Sequence, residues 1–300
     1  MYQTIIIGGG VSGLGAAIYA KRFGLNTLIL SDFFGGTITK THLVENYPGF
    51  KSLSGFELAE NILSHAKSVG AEMKDEAAKS IEKTENGFKV TTDKNTYESQ
   101  TIIFATGTHH RKLGVKGEEE FANKGVSYCA TCDGPFFRNK IVAVVGGSDS
   151  SVKESIMLAG FASKVYIIYR GENIRPEPIN RKRMEESPKI EVITKTNIIE
   201  IIGDTKLRKV KFDTGKELEL DGLFVEIGRV AQTEMVKDLG ITMNEKNEIK
   251  IDRMSKTNIE GFYAAGDVTD SEWKQAITGV AEGVKAAYSA YNYIKTLISQ

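Results

Sequence analysis

Cysteine is scarce in this sequence, and the two cysteines that occur form one short motif. Cys129 and Cys132 are the only cysteines in 300 residues, so a framework of structural disulfides is excluded. A structural zinc site usually needs about four ligands. No second C-x-x-C occurs, and His109 and His110 lack the spacing of metal ligands. We therefore expect no metal site, and a redox role for the cysteine pair.

Net charge and long hydrophobic runs are also absent. The 39 basic and 39 acidic side chains cancel, so no overall field attracts nucleic acid or an anionic membrane. Apolar runs such as 5–7 and 141–145 fall far below the roughly 20 residues of a membrane span. Met1 leads directly into a strand pattern, which predicts that no signal peptide is present. We expect a cytoplasmic protein that binds neither nucleic acid nor membrane.

Two segments share the same order of strand, glycine turn, helix and strand, which is typical of a parallel α/β sheet. The first segment is predicted to contain these elements in residues 4–7, 8–13, 14–23 and 27–30. The second is predicted to contain them in residues 141–145, 146–151, 152–159 and 165–168. Further strands are predicted at 88–92, 96–98, 101–104, 191–193, 210–212 and 223–227, and a long helix at 274–298. A chain of this length favours two domains.

The first glycine turn has the spacing of a dinucleotide-binding loop. Gly8, Gly10 and Gly13 follow a strand and open a helix, which is the context that gives this motif its meaning. The three glycines allow a tight turn, a close backbone approach to a pyrophosphate, and close packing of helix on strand. Asp32 follows the second strand, where a carboxylate accepts hydrogen bonds from a ribose. The alternative is a glycine turn in a core that binds no ligand.

Several further motifs distinguish this chain from a general dinucleotide-binding protein. In chain order they are Gly35-Gly36-Thr37, residues 44–49 (Val-Glu-Asn-Tyr-Pro-Gly), Ala105-Thr106-Gly107, residues 129–134 (Cys-Ala-Thr-Cys-Asp-Gly), residues 264–268 (Ala-Ala-Gly-Asp-Val) and Gln275-Ala276-Ile277. Over nearly the whole chain, this order resembles the low-molecular-weight thioredoxin reductases. Thr37 departs from the glutamine that is usual after the glycine pair in that family.

The resemblance implies an α/β fold of two Rossmann-like, three-layer ββα dinucleotide-binding domains, the second inserted in the first. Residues 1–111 and 230–300 would form a discontinuous FAD-binding domain, and residues 112–229 the inserted redox domain. The implied FAD contacts are Gly8, Gly10, Gly13, Asp32, Gly35, Gly36, Asn46, Thr106, Gly107, Gly266, Asp267, Gln275 and Ala276. A homodimer is also implied.

Four of these contacts have particular implied places along FAD. Asp267 would lie near the ribityl chain and Asn46 near the ring. Gln275 and Ala276 would present backbone N–H groups to the pyrimidine end of the flavin. That end carries the negative charge of the reduced ring, which the N-terminus of a helix stabilises. Trp273, the only tryptophan, is compatible with simple core packing.

The cysteine pair lies at a predicted helix start or tight turn, a position that lowers thiol pKa and favours disulfide exchange. Buried structural thiols are the alternative. By resemblance, Cys132 is the sulfur next to the flavin, Cys129 is the thiol that exchanges with the protein substrate, and Asp133 supplies a proton.

The second glycine loop departs from the pattern of NADPH-dependent relatives. Ser148 replaces the second glycine of Gly-x-Gly-x-x-Ala, and Tyr169-Arg170-Gly171 replaces His-Arg-Arg, although Arg175 remains. These changes resemble the pyridine-nucleotide-independent branch of the family, in which reduced ferredoxin or a deazaflavin supplies electrons. A basic run at 181–183 fits an acidic ferredoxin, although such runs are usually solvated helix faces.

The sequence therefore predicts an FAD-dependent disulfide oxidoreductase that reduces thioredoxin through Cys129 and Cys132, with ferredoxin as the expected donor. The first alternative is an NADPH-dependent thioredoxin reductase. A flavin-dependent dithiol oxidase and a non-catalytic redox sensor are the others, and Asp133 favours a reductase over the oxidase.

Overall fold

The computed structural model describes residues 1–298. Its strands are β1 (Tyr2–Ile7), β2 (Thr27–Ser31), β3 (Glu72–Asp75), β4 (Ala78–Thr84), β5 (Gly87–Thr92), β6 (Thr96–Phe104), β7 (Thr108–His110), β8 (Val126–Ser127), β9 (Ile141–Val145), β10 (Lys164–Ile168), β11 (Ile190–Ile193), β12 (Ile198–Gly203), β13 (Leu207–Phe212), β14 (Glu217–Glu219), β15 (Gly222–Val225), β16 (Arg229–Ala231) and β17 (Phe262–Ala264). Its α-helices are α1 (Val11–Arg22), α2 (Gly55–Ser68), α3 (Ala130–Asp133), α4 (Asp149–Ala159), α5 (Pro178–Glu185) and α6 (Ala276–Ile298). Short 3-10 helices cover Thr37–Lys40, Gly134–Phe137 and Glu234–Leu239.

The described chain divides into two compact units. The first unit combines residues 1–109 with the C-terminal part from residue 230 onward, and the second unit is His110–Arg229. The second unit is therefore continuous in sequence and interrupts the first. Each unit has its own sheets and its own buried apolar clusters.

The first unit is built on a sheet in which β3, β2, β1, β6 and β17 are parallel. The N-terminal half of β6 pairs with β5, and β5 with β4, as an antiparallel meander. Helices α1 and α6 pack on one face through small and branched side chains that include Leu14, Ala16 and Ala287. Phe88 and Val90 of the meander help to fill the other face. This arrangement gives a helix layer, a parallel sheet and an antiparallel layer.

The second unit repeats the scheme. Strands β11, β10, β9, β15 and β8 form a parallel sheet, and β12, β13 and β14 form a separate antiparallel sheet. Strand β9 is apolar on both sides, with Val142 and Val144 packed in one cluster and Ala143 and Val145 in another. A continuous apolar run is expected for a strand that is covered on both faces.

The structure differs from the sequence predictions in several places. The predicted strands at 96–98 and 101–104 form one continuous strand, β6, whose first half pairs with β5 and whose second half pairs with β1. The long helix begins at Ala276, two residues later than predicted. Helix α2 was not predicted, although Ser54 and Glu57 form a capping box at its start, which is a sequence-level signal for a helix N-terminus.

Residues 1–298 contain no helix that is both long and apolar enough to cross a membrane. Within the same residues, no three His, Cys, Asp or Glu side chains are grouped so that they would hold a metal ion.

Candidate functional site

The first glycine turn connects β1 to α1 under severe steric limits. Gly8 has a φ of 113°, a backbone conformation that residues with a Cβ rarely adopt. A Cβ at Gly13 would overlap the carbonyl oxygen of Gly8. These two glycines are therefore required by the fold of the turn itself, whether or not a ligand binds.

Gly10 is different, because the protein leaves space beside it. A Cβ at Gly10 would find only Gly36 Cα, at 3.8 Å, within 4 Å. Its φ of −74° suits any residue. The helix that follows has no side-chain cap and no acidic residue in its first turn, so no carboxylate competes with a bound anion for its N-terminal N–H groups. Glycine at this position allows a ligand phosphate to approach the backbone, as FAD requires.

The Gly35-Gly36 pair lies against this turn. Gly35 N–H donates a 2.8 Å hydrogen bond to the Gly9 carbonyl, and a Cβ at Gly36 would lie 2.6 Å from Gly10 Cα. The backbones of the two glycine segments therefore lie side by side. Asp32 is exposed one residue beyond β2, which leaves its carboxylate accessible to a ribose.

Asn46 and Gln275 are brought together by the fold. Asn46 Nδ2 donates to Gln275 Oε1 at 3.0 Å. The backbone N–H of Gln275 donates to Thr278 Oγ1 at 3.0 Å, whereas the resemblance implied that this N–H is presented to the flavin. The physical reason is local capping, since Thr278 supplies an acceptor close to the start of α6. Ala276 is the first residue of that helix, as the predicted role requires.

The Gly266-Asp267 turn is held by two residues that the sequence analysis did not identify. Glu282 is buried, and its Oε2 accepts from Gly266 N–H at 2.7 Å. Lys274 Nζ donates to the Asp267 carbonyl at 2.8 Å and to Glu248 Oε1 at 2.5 Å. These contacts fix the backbone on which the Asp267 side chain is carried. No motif signalled Glu282, because its role depends on how α6 packs.

Thr106 and Gly107 are positioned by Gln232, another residue that the sequence did not single out. Thr106 Oγ1 donates to the Gln232 carbonyl at 2.9 Å, and Gln232 Nε2 donates back to the Thr106 carbonyl at 3.0 Å. Gln232 N–H also donates to the Gly107 carbonyl. Trp273, for which the sequence left core packing open, is 65% exposed and does not pack in the core.

In the second unit, Cys129 and Cys132 form a disulfide. Cys129 is the N-cap residue of α3, and the N–H of Cys132 donates to Cys129 Sγ at 3.2 Å. Asp133 lies in the same short helix and is half-buried. Cys132 is exposed and Cys129 half-buried, so exposure alone does not assign the two sulfurs the roles implied by resemblance. Phe136, four residues after Cys132, is 81% exposed.

The side chain of Tyr169 covers the second glycine turn. The ring of Tyr169 packs against both Gly147 and Gly171. A Cβ on Gly147 would overlap the ring, and a Cβ on Gly171 would lie 2.5 Å from Tyr169 Cε1. Tyrosine at 169 and glycine at 171 therefore depend on each other. The Tyr169 ring occupies the space that the Cβ of any larger residue at 171 would need.

Residues 148 and 149 are engaged by the segment that precedes α5. Arg175 N–H donates to the Gly147 carbonyl at 2.7 Å, and Ser148 and Arg175 form a β-bridge. Asp149 Oδ1 accepts from Glu177 N–H at 2.8 Å. Asp149 lies in the first turn of α4, where a carboxylate competes with a phosphate for the helix N-terminus. Arg170 and Arg175 are exposed.

The first comparison with known proteins concerns the family. The sequence profile of the family described as pyridine nucleotide-disulphide oxidoreductase matches residues 2–283. The chain belongs to this family, whose members bind FAD. FAD was predicted from the resemblance carried by the glycine loop together with the further motifs, and it is confirmed as the cofactor. The open side of Gly10 fits it.

More specific similarity is to thioredoxin reductases. The thioredoxin reductase of Treponema pallidum (strain Nichols) is 40% identical over 303 residues, which cover 99% of this chain and 98% of that protein. The crystal structure of Lactococcus lactis thioredoxin reductase (FR conformation) has a TM-score of 0.96 at 37% identity and covers 99% of this chain and 100% of its own. The crystal structure of T. acidophilum thioredoxin reductase has a TM-score of 0.93 at 38% identity and covers 97% of this chain and 98% of its own.

These comparisons confirm the predicted α/β fold with Rossmann-like domains and the thioredoxin-reductase type of flavin-dependent disulfide oxidoreductase. They give no specific support to the ferredoxin-dependent branch, which the departures in the second glycine loop had predicted. The NADPH-dependent alternative fits the relatives better.

Proposed function

We propose that this protein reduces the disulfide of a thioredoxin through the Cys129–Cys132 pair, and that a reduced pyridine nucleotide supplies the electrons. The observation that carries the proposal is the disulfide at the start of α3, in a chain whose other unit carries the glycine turn for FAD. A disulfide is reduced by two electrons and two protons. Bound FAD supplies the chemistry that joins a two-electron donor to a disulfide.

The surroundings of the disulfide favour Cys129 as the thiol that exchanges with thioredoxin. Its sulfur lies at the N-terminal end of α3 and accepts the Cys132 N–H. Both features stabilise a thiolate, which is the form that attacks a disulfide. Asp133, next to Cys132 in the chain, is the proposed proton donor. Thiol–disulfide exchange needs one presented thiolate and one resolving thiol, and Cys132 takes the second role.

The surface beside the disulfide suits a protein substrate. Phe136 is 81% exposed, and an exposed aromatic ring is a common anchor at protein interfaces. We propose that this ring packs against thioredoxin when the mixed disulfide forms.

Two features support a pyridine nucleotide as the donor. The β9–α4–β10 segment keeps the parallel strand–turn–helix–strand order of a dinucleotide-binding unit. Arg170 and Arg175 are exposed beyond the end of β10, the edge at which the adenosine ribose is recognised in such units. Their guanidinium groups suit a 2′-phosphate, which favours NADPH over NADH.

Reduced ferredoxin is the second candidate donor, and it is favoured because the side chain of Tyr169 covers the second glycine turn. Tyr169 packs on Gly147, and Ser148 replaces the glycine at which the backbone comes closest to a pyrophosphate. Both features weaken nucleotide binding at this turn, and a protein donor does not need the turn.

Anaerobic stopped-flow absorbance separates the two donors. The holoenzyme is mixed in parallel with NADPH, NADH or reduced ferredoxin, and bleaching of the flavin is followed. We expect rapid bleaching by NADPH at micromolar concentration and slower bleaching by NADH. Bleaching by ferredoxin alone would overturn the proposed donor and leave the proposed substrate intact.

The substrate is tested by trapping. Cys132→Ser should form a stable mixed disulfide through Cys129 with a thioredoxin that lacks its own resolving cysteine, seen as a reducible band on a non-reducing gel. Cys129→Ser is the matched control and should trap much less. Trapping only by Cys129→Ser would reverse the assignment of the two sulfurs.

A further inference from the structure

An exposed phenylalanine lies beside the first glycine turn. Phe33 directly follows Asp32, the first residue beyond β2, and it is 57% exposed. Phenylalanine is among the residues that proteins most often bury, although single exposed apolar residues are common on protein surfaces. The surroundings of the ring therefore decide whether it has a binding role.

The backbone of Phe33 is fixed against the glycine turn by one serine. Ser31 Oγ donates to the Phe33 carbonyl at 2.8 Å, and the Phe33 N–H donates to Ser31 Oγ at 3.3 Å. Ser31 is buried, and its Oγ would lie 2.9 Å from a Cβ on Gly9. The side chain that lies against Gly9 thus also holds Phe33, so the exposed ring is carried by an ordered segment.

The next residue has the same type of side chain and a different position. Phe34 is partly buried and packs against the apolar cluster of α1 and α6. Its Cδ1 would lie 2.7 Å from a Cβ on Gly9. The segment between β2 and Gly35 therefore uses one aromatic ring for packing on the turn and keeps the other, Phe33, at the surface beside the same turn.

Asp32 relates this surface ring to the adenosine end of FAD. The carboxylate that follows the second strand of a dinucleotide-binding unit accepts hydrogen bonds from a ribose, and the adenine base is bonded to that ribose. Consecutive Cα atoms are about 3.8 Å apart. A ring on the residue after Asp32 is therefore within reach of a base whose ribose is bound at Asp32.

We propose that the ring of Phe33 stacks on the adenine of FAD and is a binding residue for the end of the cofactor that takes no part in electron transfer. A flat aromatic ring covers the π-face of a base, and such stacking makes a large contribution to nucleotide binding. The contact also removes apolar area of Phe33 from water. The proposal concerns FAD binding alone and depends on neither thioredoxin nor the electron donor.

Release of FAD from the holoenzyme tests the contribution of the ring. The holoenzyme is diluted in series, and free FAD is separated by ultrafiltration and measured by flavin fluorescence. Phe33→Ala should weaken FAD affinity on the order of 5- to 100-fold, and Phe33→Trp should retain it. Phe33→Leu, which stays apolar without a π-face, should lose most of the affinity that Phe33→Ala loses.

Phe56 provides the matched control. It is 59% exposed on α2, and Phe56→Ala should leave FAD affinity unchanged. Wild-type affinity in Phe33→Ala, or in Phe33→Leu, would overturn the proposal. Unchanged affinity together with a changed sedimentation coefficient of Phe33→Ala would instead assign the ring to a contact between copies of this chain.

Nuclear magnetic resonance of the holoenzyme tests the stacking itself. FAD that is isotopically labelled at the two C–H positions of adenine is bound to each variant. The ring current of a stacked Phe33 should shift these adenine signals upfield in the wild type and in Phe56→Ala. The upfield shift should be lost in Phe33→Leu. Identical adenine signals in the wild type and Phe33→Leu would overturn the proposal, whatever the affinities, because the ring would then not face the base.

Discussion

Asn46 and Gln275 lie 229 residues apart in sequence, yet Asn46 Nδ2 donates a 3.0 Å hydrogen bond to Gln275 Oε1. The bond joins the loop before α2 to the residue before α6. Both residues are proposed to lie at the flavin end of the FAD site, so the contact ties together two edges of that site within the first unit.

The first prediction concerns this pair. Asn46→Ala and Gln275→Ala should each lower FAD affinity with little effect on unfolding, because an exposed hydrogen bond contributes only about 0.5–1.5 kcal/mol. The double variant should lose less affinity than the sum of the single losses. Flavin fluorescence titration of the apoprotein measures the affinities. Strict additivity would show that the contact does not support FAD binding.

The second prediction separates the two functions of the first glycine motif. Gly13→Ala should destabilise the apoprotein by about 1–3 kcal/mol or more, because the Cβ overlaps the Gly8 carbonyl. Gly10→Ala should leave apoprotein stability unchanged and weaken FAD binding, because the space beside Gly10 is open in the protein. Chemical denaturation of the apoproteins and FAD titration test the contrast. Equal destabilisation by both changes would contradict it.

The third prediction concerns Glu282. Its carboxylate accepts hydrogen bonds from Gly266 N–H, Thr269 Oγ1 and the Ser271 hydroxyl. Glu282→Ala should destabilise the protein by about 1–3 kcal/mol, since a buried N–H is left without its acceptor. FAD affinity should fall as the Asp267 turn loosens. Glu282→Gln, which keeps one acceptor oxygen, should lose less in thermal unfolding and in FAD titration. An alanine variant that is no worse than the glutamine variant would exclude this role.

The fourth prediction concerns nucleotide specificity. Gly171→Arg alone should be poorly tolerated, because its Cβ would lie 2.5 Å from the Tyr169 ring. Combined with Tyr169→His, the arginine gains room and reaches a 2′-phosphate. One added charge-assisted hydrogen bond, about 1.5–3 kcal/mol, should improve NADPH binding on the order of 10- to 100-fold.

NADH is the control for this variant pair. NADH lacks the 2′-phosphate, so its KM should be unchanged in the Tyr169→His, Gly171→Arg protein while the KM for NADPH falls. A parallel improvement for both nucleotides would mean that removal of the tyrosine ring, not the new arginine, caused the change.

The local elements of this protein were predictable from sequence, and the contacts between distant elements were not. The first glycine turn was recognised because the spacing of Gly8, Gly10 and Gly13 has a direct backbone meaning. Glu282 and Gln232 were missed because their partners are set by tertiary packing. The resemblance assigned the N–H of Gln275 to the ligand, and it could not show that Thr278, three residues later, accepts this N–H in the structure. Ser54 and Glu57 show that a readable helix signal was also overlooked.

The second glycine loop shows a different limit. Tyr169 and Gly171 were counted as two separate losses from the nucleotide pattern, and the structure shows that they are one steric unit. The two positions therefore amount to one departure from the nucleotide pattern. Sequence patterns treat positions independently, whereas a ring packed between two glycines makes them dependent.

The ends of the inserted unit meet. Arg111 N–H donates to the Gly228 carbonyl at 3.0 Å, and strand β7 pairs with β16. Closing a long flexible loop costs conformational entropy that grows only slowly with its length. Because the two ends of the folded insert are adjacent, the first unit has only a short gap to close between its two sequence segments. The first unit can therefore assemble from its two separated sequence segments as if a short turn joined them. By the same reasoning, residues 110–229 are a natural unit to express alone or to exchange between relatives. Such an exchange should not disturb the sheet of the first unit, whose strands precede and follow these residues in sequence.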